Sequence, residues 1–189
     1  NHEEIFSWEQ YIYPPVADHL LAGDILRAVT GPNDDPTSFC IVLTPSCDLA
    51  NQKVKNVLVA HCVSMKAYWT ASSLSYKNNE KNIQRISVNL NDAQSSGYKP
   101  VPKYSDLIPH MAISLRELEI LTINEGARAK SAAGVEYVRI VSLDSPFREQ
   151  LLWAYLEIAG RPGLPNRDMK SWAGDILNHL AQLGGHVDD

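Results

Sequence analysis

A chain of 189 residues, 44% apolar and 21% charged, is long enough to bury a core and fits one domain with an appended element. No run approaches the about 18 consecutive apolar residues of a membrane span, and no basic-then-apolar signal pattern opens the chain, so a cytoplasmic protein outside the membrane is expected. Three cysteines, Cys40, Cys47 and Cys62, are an odd count that argues against a disulfide framework and for reduced thiols.

Residues 1–22 carry an acidic start and scattered aromatics before Pro14-Pro15, which breaks any helix there, and they read as an N-terminal extension. Gly23-Asp24-Ile25-Leu26 is a turn opening a strand, and Gly31-Pro32-Asn33-Asp34-Asp35-Pro36 is a loop built of turn-forming residues. Ser38 to Leu43 reads as a buried strand, and Val57 to Val63 as its antiparallel partner across the turn from Pro45 to Lys55. Ser64 to Pro109 is polar. Ile83, Ile86 and Leu90 predict an amphipathic helix over 79–93, and Gly97 to Pro109 reads as loop.

Residues 112–123 carry two conflicting signals. Ser114 with Glu117 resembles a helix capping box, whereas Leu118, Ile120 and Thr122 alternate as in a strand. Val135 to Val141 predicts a further strand. Ser145-Pro146 predicts an N-cap with proline at the first helical position, followed by an apolar face of Phe147, Leu151, Ala154, Tyr155 and Ile158 and a stop at Gly160. Asp168 then caps a second helix with Met169, Trp172, Ile176 and Leu180 on its apolar stripe. Strands first and helices last make the class α+β: 23–143 as a small curled barrel with an insertion at about 66–110, and 144–189 as a C-terminal helical pair.

The net charge of −5 is unevenly spread. From Asn51 to Lys103 there are eight basic residues against two acidic ones, leaving the remainder at −11. A polyanion-binding face leaves such a footprint, as does a solvated lysine-rich loop. The binding reading makes RNA or DNA, or a partner protein, the ligand of Lys53, Lys55, Lys66 and Arg85, with Tyr68, Trp69, Tyr76 and Tyr98 available to stack on bases.

Cys47-Asp48 admits three readings. A nucleophilic Cys47 needs a base, for which His61 or His19 would serve, and Asp48 beside it would raise the thiol pKa. A metal site could draw on Cys47, His61, Cys62 and Cys40, but no C-x2-C or H-x3-H pair exists, and no metal or other cofactor is expected. A structural corner needs only that Asp48 accept hydrogen bonds from the amides of Ala50 or Asn51. Arg161, restrained between Gly160 and Pro162, could bind phosphate or carboxylate, or tie the terminal helices to the barrel.

Taken in order, Gly23-Asp24-Ile25, the Gly31-Pro32 loop, Ile41-Val42-Leu43-Thr44-Pro45, Asn51-Gln52-Lys53 and Val57-Leu58-Val59-Ala60 resemble the MazF/PemK-type toxin domain. The resemblance covers roughly residues 23–65 and implies a small SH3-like barrel, a homodimer, and metal-independent cleavage of single-stranded RNA. The family's catalytic arginine position falls on Thr37-Ser38-Phe39, and Ser64 is the nearest equivalent of its catalytic threonine. Without the arginine the phosphate transition state loses its main charge partner. The expectation is therefore a non-catalytic MazF-like domain that binds nucleic acid, a partner protein or a missing upstream domain. One alternative is an active ribonuclease in which Ser64, Arg85 or Arg161 replaces the lost groups, and another is a thiol enzyme or metal site centred on Cys47.

Overall fold

The structure, a computed structural model, describes residues 11–51, 54–71 and 97–160, with backbone only at 69–71. The chain divides into two compact units, Asn1–Ala159 and Gly160–Asp189, and the first holds the strands and helices described. The predicted helices over 79–93 and from Asp168, together with Lys53, Arg85 and Arg161 and the side chain of Trp69, lie outside the described residues.

Among the described residues eight strands run in chain order. They are β1 (Tyr11–Ile12), β2 (Asp24–Ala28), β3 (Phe39–Val42), β4 (Asn56–Ser64), β5 (Tyr98–Val101), β6 (Met111–Asn124), β7 (Arg128–Lys130) and β8 (Glu136–Leu143). Three α-helices accompany them among the described residues, α1 (Ser46–Ala50), α2 (Met65–Ala71) and α3 (Phe147–Ala159), with one 3-10 turn at Pro36–Ser38. The class is α+β, dominated by antiparallel sheet. β8 pairs with β2, β2 with β3, β3 with β4, β4 with β6, β6 with β7 and β7 with β8, so six strands close a ring. β5 extends the sheet along β6, and β1 extends it along β8.

The ring separates two apolar clusters. Leu26, Cys40, Val42, Val57, Val59, Leu121, Ala129 and Tyr137 come from all six ring strands and fill the interior, which Leu20 and Leu49 also join. Ile25, Phe39, Ile41, Ala60, Cys62 and Ile113 face outward, where Tyr11, Val101, Leu151 and Ala154 cover them. β3 is thus buried on both faces, which explains why its sequence is an unbroken apolar run rather than an alternating one. Cys40 and Cys62 fall on opposite faces as small hydrophobes.

β6 resolves the ambiguous 112–123 segment as strand. Cys62 pairs with Ile113 and Ala60 with Leu118, so five steps along β6 cover two steps along β4. The bulge between them changes which face β6 presents: Met111, Ile113 and Leu115 pack into the outer cluster, whereas Leu121 enters the interior. Leu118 and Ile120 remain exposed.

Three other expectations change. Gly97 to Pro109 is not all loop, because β5 forms over Tyr98–Val101 against Met111 to Ser114. The helix expected from Ser145-Pro146 begins at Phe147, after a cis Ser145–Pro146 bond. Its inward face is as expected, with Leu151 and Ala154 buried and Tyr155 and Ile158 packed against the same cluster. Ser46-Cys47-Asp48 is a turn of helix rather than a strand-to-turn corner, the amides of Asp48 and Leu49 both donating to the Pro45 carbonyl.

Candidate functional site

β3 and β4 run antiparallel, so the residues singled out by sequence sort to the two ends of the barrel. At one end, where β3 leads into α1 and β4 begins, lie Cys47, Asp48 and Lys55. At the other, where β3 begins and β4 runs into α2, lie Thr37 to Phe39, His61, Ser64, Lys66 and Tyr68. Nine strand residues separate Lys55 from Met65, on the order of 30 Å of extended chain. Cys47 and Ser64 therefore do not share a site, and Lys55 and Lys66 do not share a contact patch.

At the far end, Phe39 is fully buried and Ser38 nearly so, while Thr37 is spent locally: its amide and hydroxyl both donate to Asp35 Oδ1, at 2.9 and 2.8 Å. Thr37, Ser38 and Phe39 supply no cation of their own, and the described cation beside them is Arg27 of β2, the direct cross-strand partner of Phe39. The Ser64 hydroxyl accepts from the Ala67 amide at 3.0 Å and so caps α2. Tyr68 does not offer a ring face for base stacking, since it is 1% exposed and stands edge-on to Tyr98, with centroids 5.1 Å apart.

His61 has found a different cysteine from the one expected. It is the direct cross-strand partner of Cys40, so both side chains lie on the interior face, and its Nε2 lies 2.8 Å from Glu119 Oε2. The order Cys40, His61, Glu119 resembles a thiol triad, but Cys40 is fully buried, and burial pushes its thiol well up, with Cys62 and Glu119 adding to the shift. A sealed, protonated thiol is not a nucleophile. Burial also pushes the neighbouring Tyr137 hydroxyl up to about 12. Cys47 is the converse case. It is exposed, its Sγ lies 3.9 Å from Asp48 Oδ1, and its carbonyl accepts from Asn51 Nδ2 at 2.6 Å, but neither histidine considered as its base makes a described contact with it. Among the described residues no cluster of three or more His, Cys, Asp or Glu could hold a metal.

The α1 end is open. A cavity of about 620 Å³ lies between the segment Asp18 to Leu20, the last turn of α1 at Leu49 and Ala50, Val54 and Lys55, and the β6–β7 turn from Thr122 to Gly126. Its walls are held by backbone locks. The Ile123 amide donates to the Lys55 carbonyl at 2.9 Å. On the opposite wall Arg139 donates through Nη1 to the His19 carbonyl at 2.7 Å and to Asp24 Oδ2 at 3.2 Å, and through Nη2 to the Ala17 carbonyl.

Asp24 is the hub of that lock. It is fully buried, accepts from the Leu21 amide at 2.8 Å, and takes the Ser142 hydroxyl on its other oxygen. Burial pushes its carboxyl up, outweighing Ser142, the Leu21 amide and Arg139, all of which pull it down. On the segment so anchored, His19 Nδ1 lies 2.9 Å from Asp18 Oδ1, and this hydrogen bond draws the Asp18 carboxyl below its usual range. His19 Nε2 is shielded from solvent and has no partner among the described residues.

Sequence reasoning named Cys47, Asp48 and Lys55 at this end but missed Asp18, Asn124, Glu125 and the Asp24–Arg139 pair. Only the Gly-Asp-Ile motif signalled any of it, through an aspartate placed at the start of an apolar strand. Among the described residues no helix is long and apolar enough to cross a membrane. Compared with protein-family models, curated proteins and solved structures, the chain matches none.

Proposed function

We infer that this chain is an SH3-like barrel of the MazF type that keeps the fold without the ribonuclease chemistry and acts as a binding domain for single-stranded nucleic acid. The observation that carries this reading is the contrast between the two ends of the barrel. Where the resemblance puts the catalytic arginine, Phe39 is sealed in the core and the neighbouring hydroxyl and amide groups are engaged locally. At the opposite end a cavity lies open, lined by Lys55, Asn124, the acidic Asp18 and Glu125, and apolar residues. The excess of basic residues between Asn51 and Lys103 supports a polyanionic ligand through the charge of that segment as a whole, of which Lys55 is the described member that lines the cavity.

A binding domain of this kind holds labelled single-stranded RNA or DNA at low salt, releases it steeply as salt rises, and leaves it uncut in the presence of EDTA. Absence of binding at low salt removes the reading, and cleavage replaces it with the ribonuclease alternative.

A further inference from the structure

The geometry points to the cavity at the α1 end as a subsite for one ribonucleotide unit, either a free ribonucleoside monophosphate or one residue of a single strand. The second form rests on the nucleic-acid reading, whereas the first does not.

The lining supplies three kinds of contact, and a ribonucleotide presents three matching parts. The half-buried Val54 and Ile123, lying over the buried Leu20 and Leu49, form an apolar surface suited to the flat face of a base, and Asn124 beside them offers an amide donor and acceptor for its edge. Lys55 is the described cation of the lining and suits the phosphate. Glu125 would repel that phosphate if it were the only ligand group, but a carboxylate is the acceptor a ribose diol requires. Asp18 is the second carboxylate of the lining and is engaged by His19; a simple inorganic anion leaves Glu125 unexplained, and an apolar ligand leaves Lys55 and Glu125 unexplained.

His19 adds a fourth contact. Asp18 engages Nδ1, which leaves Nε2 as the ring atom available to a polar group of the ligand. The space is adequate, since small-molecule pockets run from about 300 to 1,000 Å³ and this one is about 620 Å³. It is also preformed, because the backbones carrying His19 and Lys55 are tied to Arg139 and Ile123 respectively.

The test is calorimetric titration of the full chain with the four ribonucleoside 5′-monophosphates, their 2′-deoxy counterparts, and a short single-stranded oligoribonucleotide. Lys55→Ala, Glu125→Gln and Ala50→Trp are the variants, each checked for fold by far-UV circular dichroism; Ala50 lines the cavity and is exposed, so tryptophan there fills the space without entering the core. Saturable binding of a free ribonucleotide, weakened about tenfold by Lys55→Ala and lost in Ala50→Trp, supports the site, and Glu125→Gln then narrows the ribose-over-deoxyribose preference. If only the oligonucleotide binds, and both Lys55→Ala and Ala50→Trp weaken it, the cavity is a strand subsite and the inference stands. Oligonucleotide binding untouched by Ala50→Trp, with no free nucleotide bound, overturns the inference and leaves the nucleic-acid reading intact. Free ribonucleotide bound without oligonucleotide binding keeps the site and removes the nucleic-acid reading. Binding of neither overturns both.

Discussion

Arg139 Nη1 lies 3.2 Å from Asp24 Oδ2 in an ion pair whose side chains are 8% and 0% exposed. Through the same guanidinium, β8 holds the carbonyls of Ala17 and His19, so one buried pair fixes the position of the wall that borders the cavity. Replacing Asp24 by alanine leaves the guanidinium without its counter-ion, though still bonded to the two carbonyls, and releases the Leu21 amide and the Ser142 hydroxyl. Loss of one partner from a buried pair costs about 3–5 kcal/mol, and that is the expected drop in unfolding free energy on urea denaturation. A loss under about 1 kcal/mol would show that the pair is not anchoring the fold.

The same aspartate sets a pH dependence. Its folded pKa is raised by burial, so the folded state binds the proton more tightly than the unfolded chain does. Its contribution to stability is fully present below the unfolded aspartate range and is lost as pH rises through the raised folded value. Asp24→Asn removes that titration, so the stability advantage of wild type over the variant shrinks from acid toward neutral pH. Urea midpoints for both chains across that interval provide the comparison, and an advantage that grows with pH would contradict the assignment.

Gly23 begins the motif that Asp24 continues. Its φ is +81°, and a Cβ there would stand 2.9 Å from Arg148 Cγ on α3. Gly23→Ala meets both backbone strain and that close approach, for an expected loss of about 1–3 kcal/mol. Thermal unfolding followed by circular dichroism measures it, and an unchanged midpoint would mean that the turn accepts a side chain.

The three thiols differ sharply in access. Cys47 is exposed, whereas Cys40 and Cys62 are buried and burial raises both of their pKa values. A thiol reagent at neutral pH is expected to modify Cys47 alone in the native chain, and all three in denaturant, as read by intact mass. Fast native modification of Cys40 would reopen the triad formed with His61 and Glu119.

Much of the barrel was legible because its strands carry strong local signals. β3 and β4 are β-branched, apolar and bounded by turn residues, and α3 shows helical spacing at Leu151, Ala154, Tyr155 and Ile158. β6 resisted because its bulge changes the buried face partway along, so neither period fits the whole segment. β5 resisted because Pro100 and polar neighbours mark an edge strand that is specified by Met111 to Ser114 rather than by itself.

The candidate site was less legible than the fold. Its walls come from segments more than 100 residues apart, and the cation that aligns one of them, Arg139, reads in sequence as an ordinary strand residue. Cys47-Asp48 drew notice as an unusual pair, yet among the described residues no histidine makes a contact with the thiol. The neighbouring Leu49 and Ala50 prove to be what α1 contributes to the cavity.

The central claim is binding without cleavage, and fluorescence anisotropy of an end-labelled single-stranded RNA, followed by a denaturing gel of the same sample, tests it most directly. The predicted result is saturable binding at about 50 mM salt that weakens at least tenfold by about 200 mM, with the RNA intact after long incubation in EDTA. An anisotropy that stays flat at low salt, or a gel showing cut RNA, would contradict it.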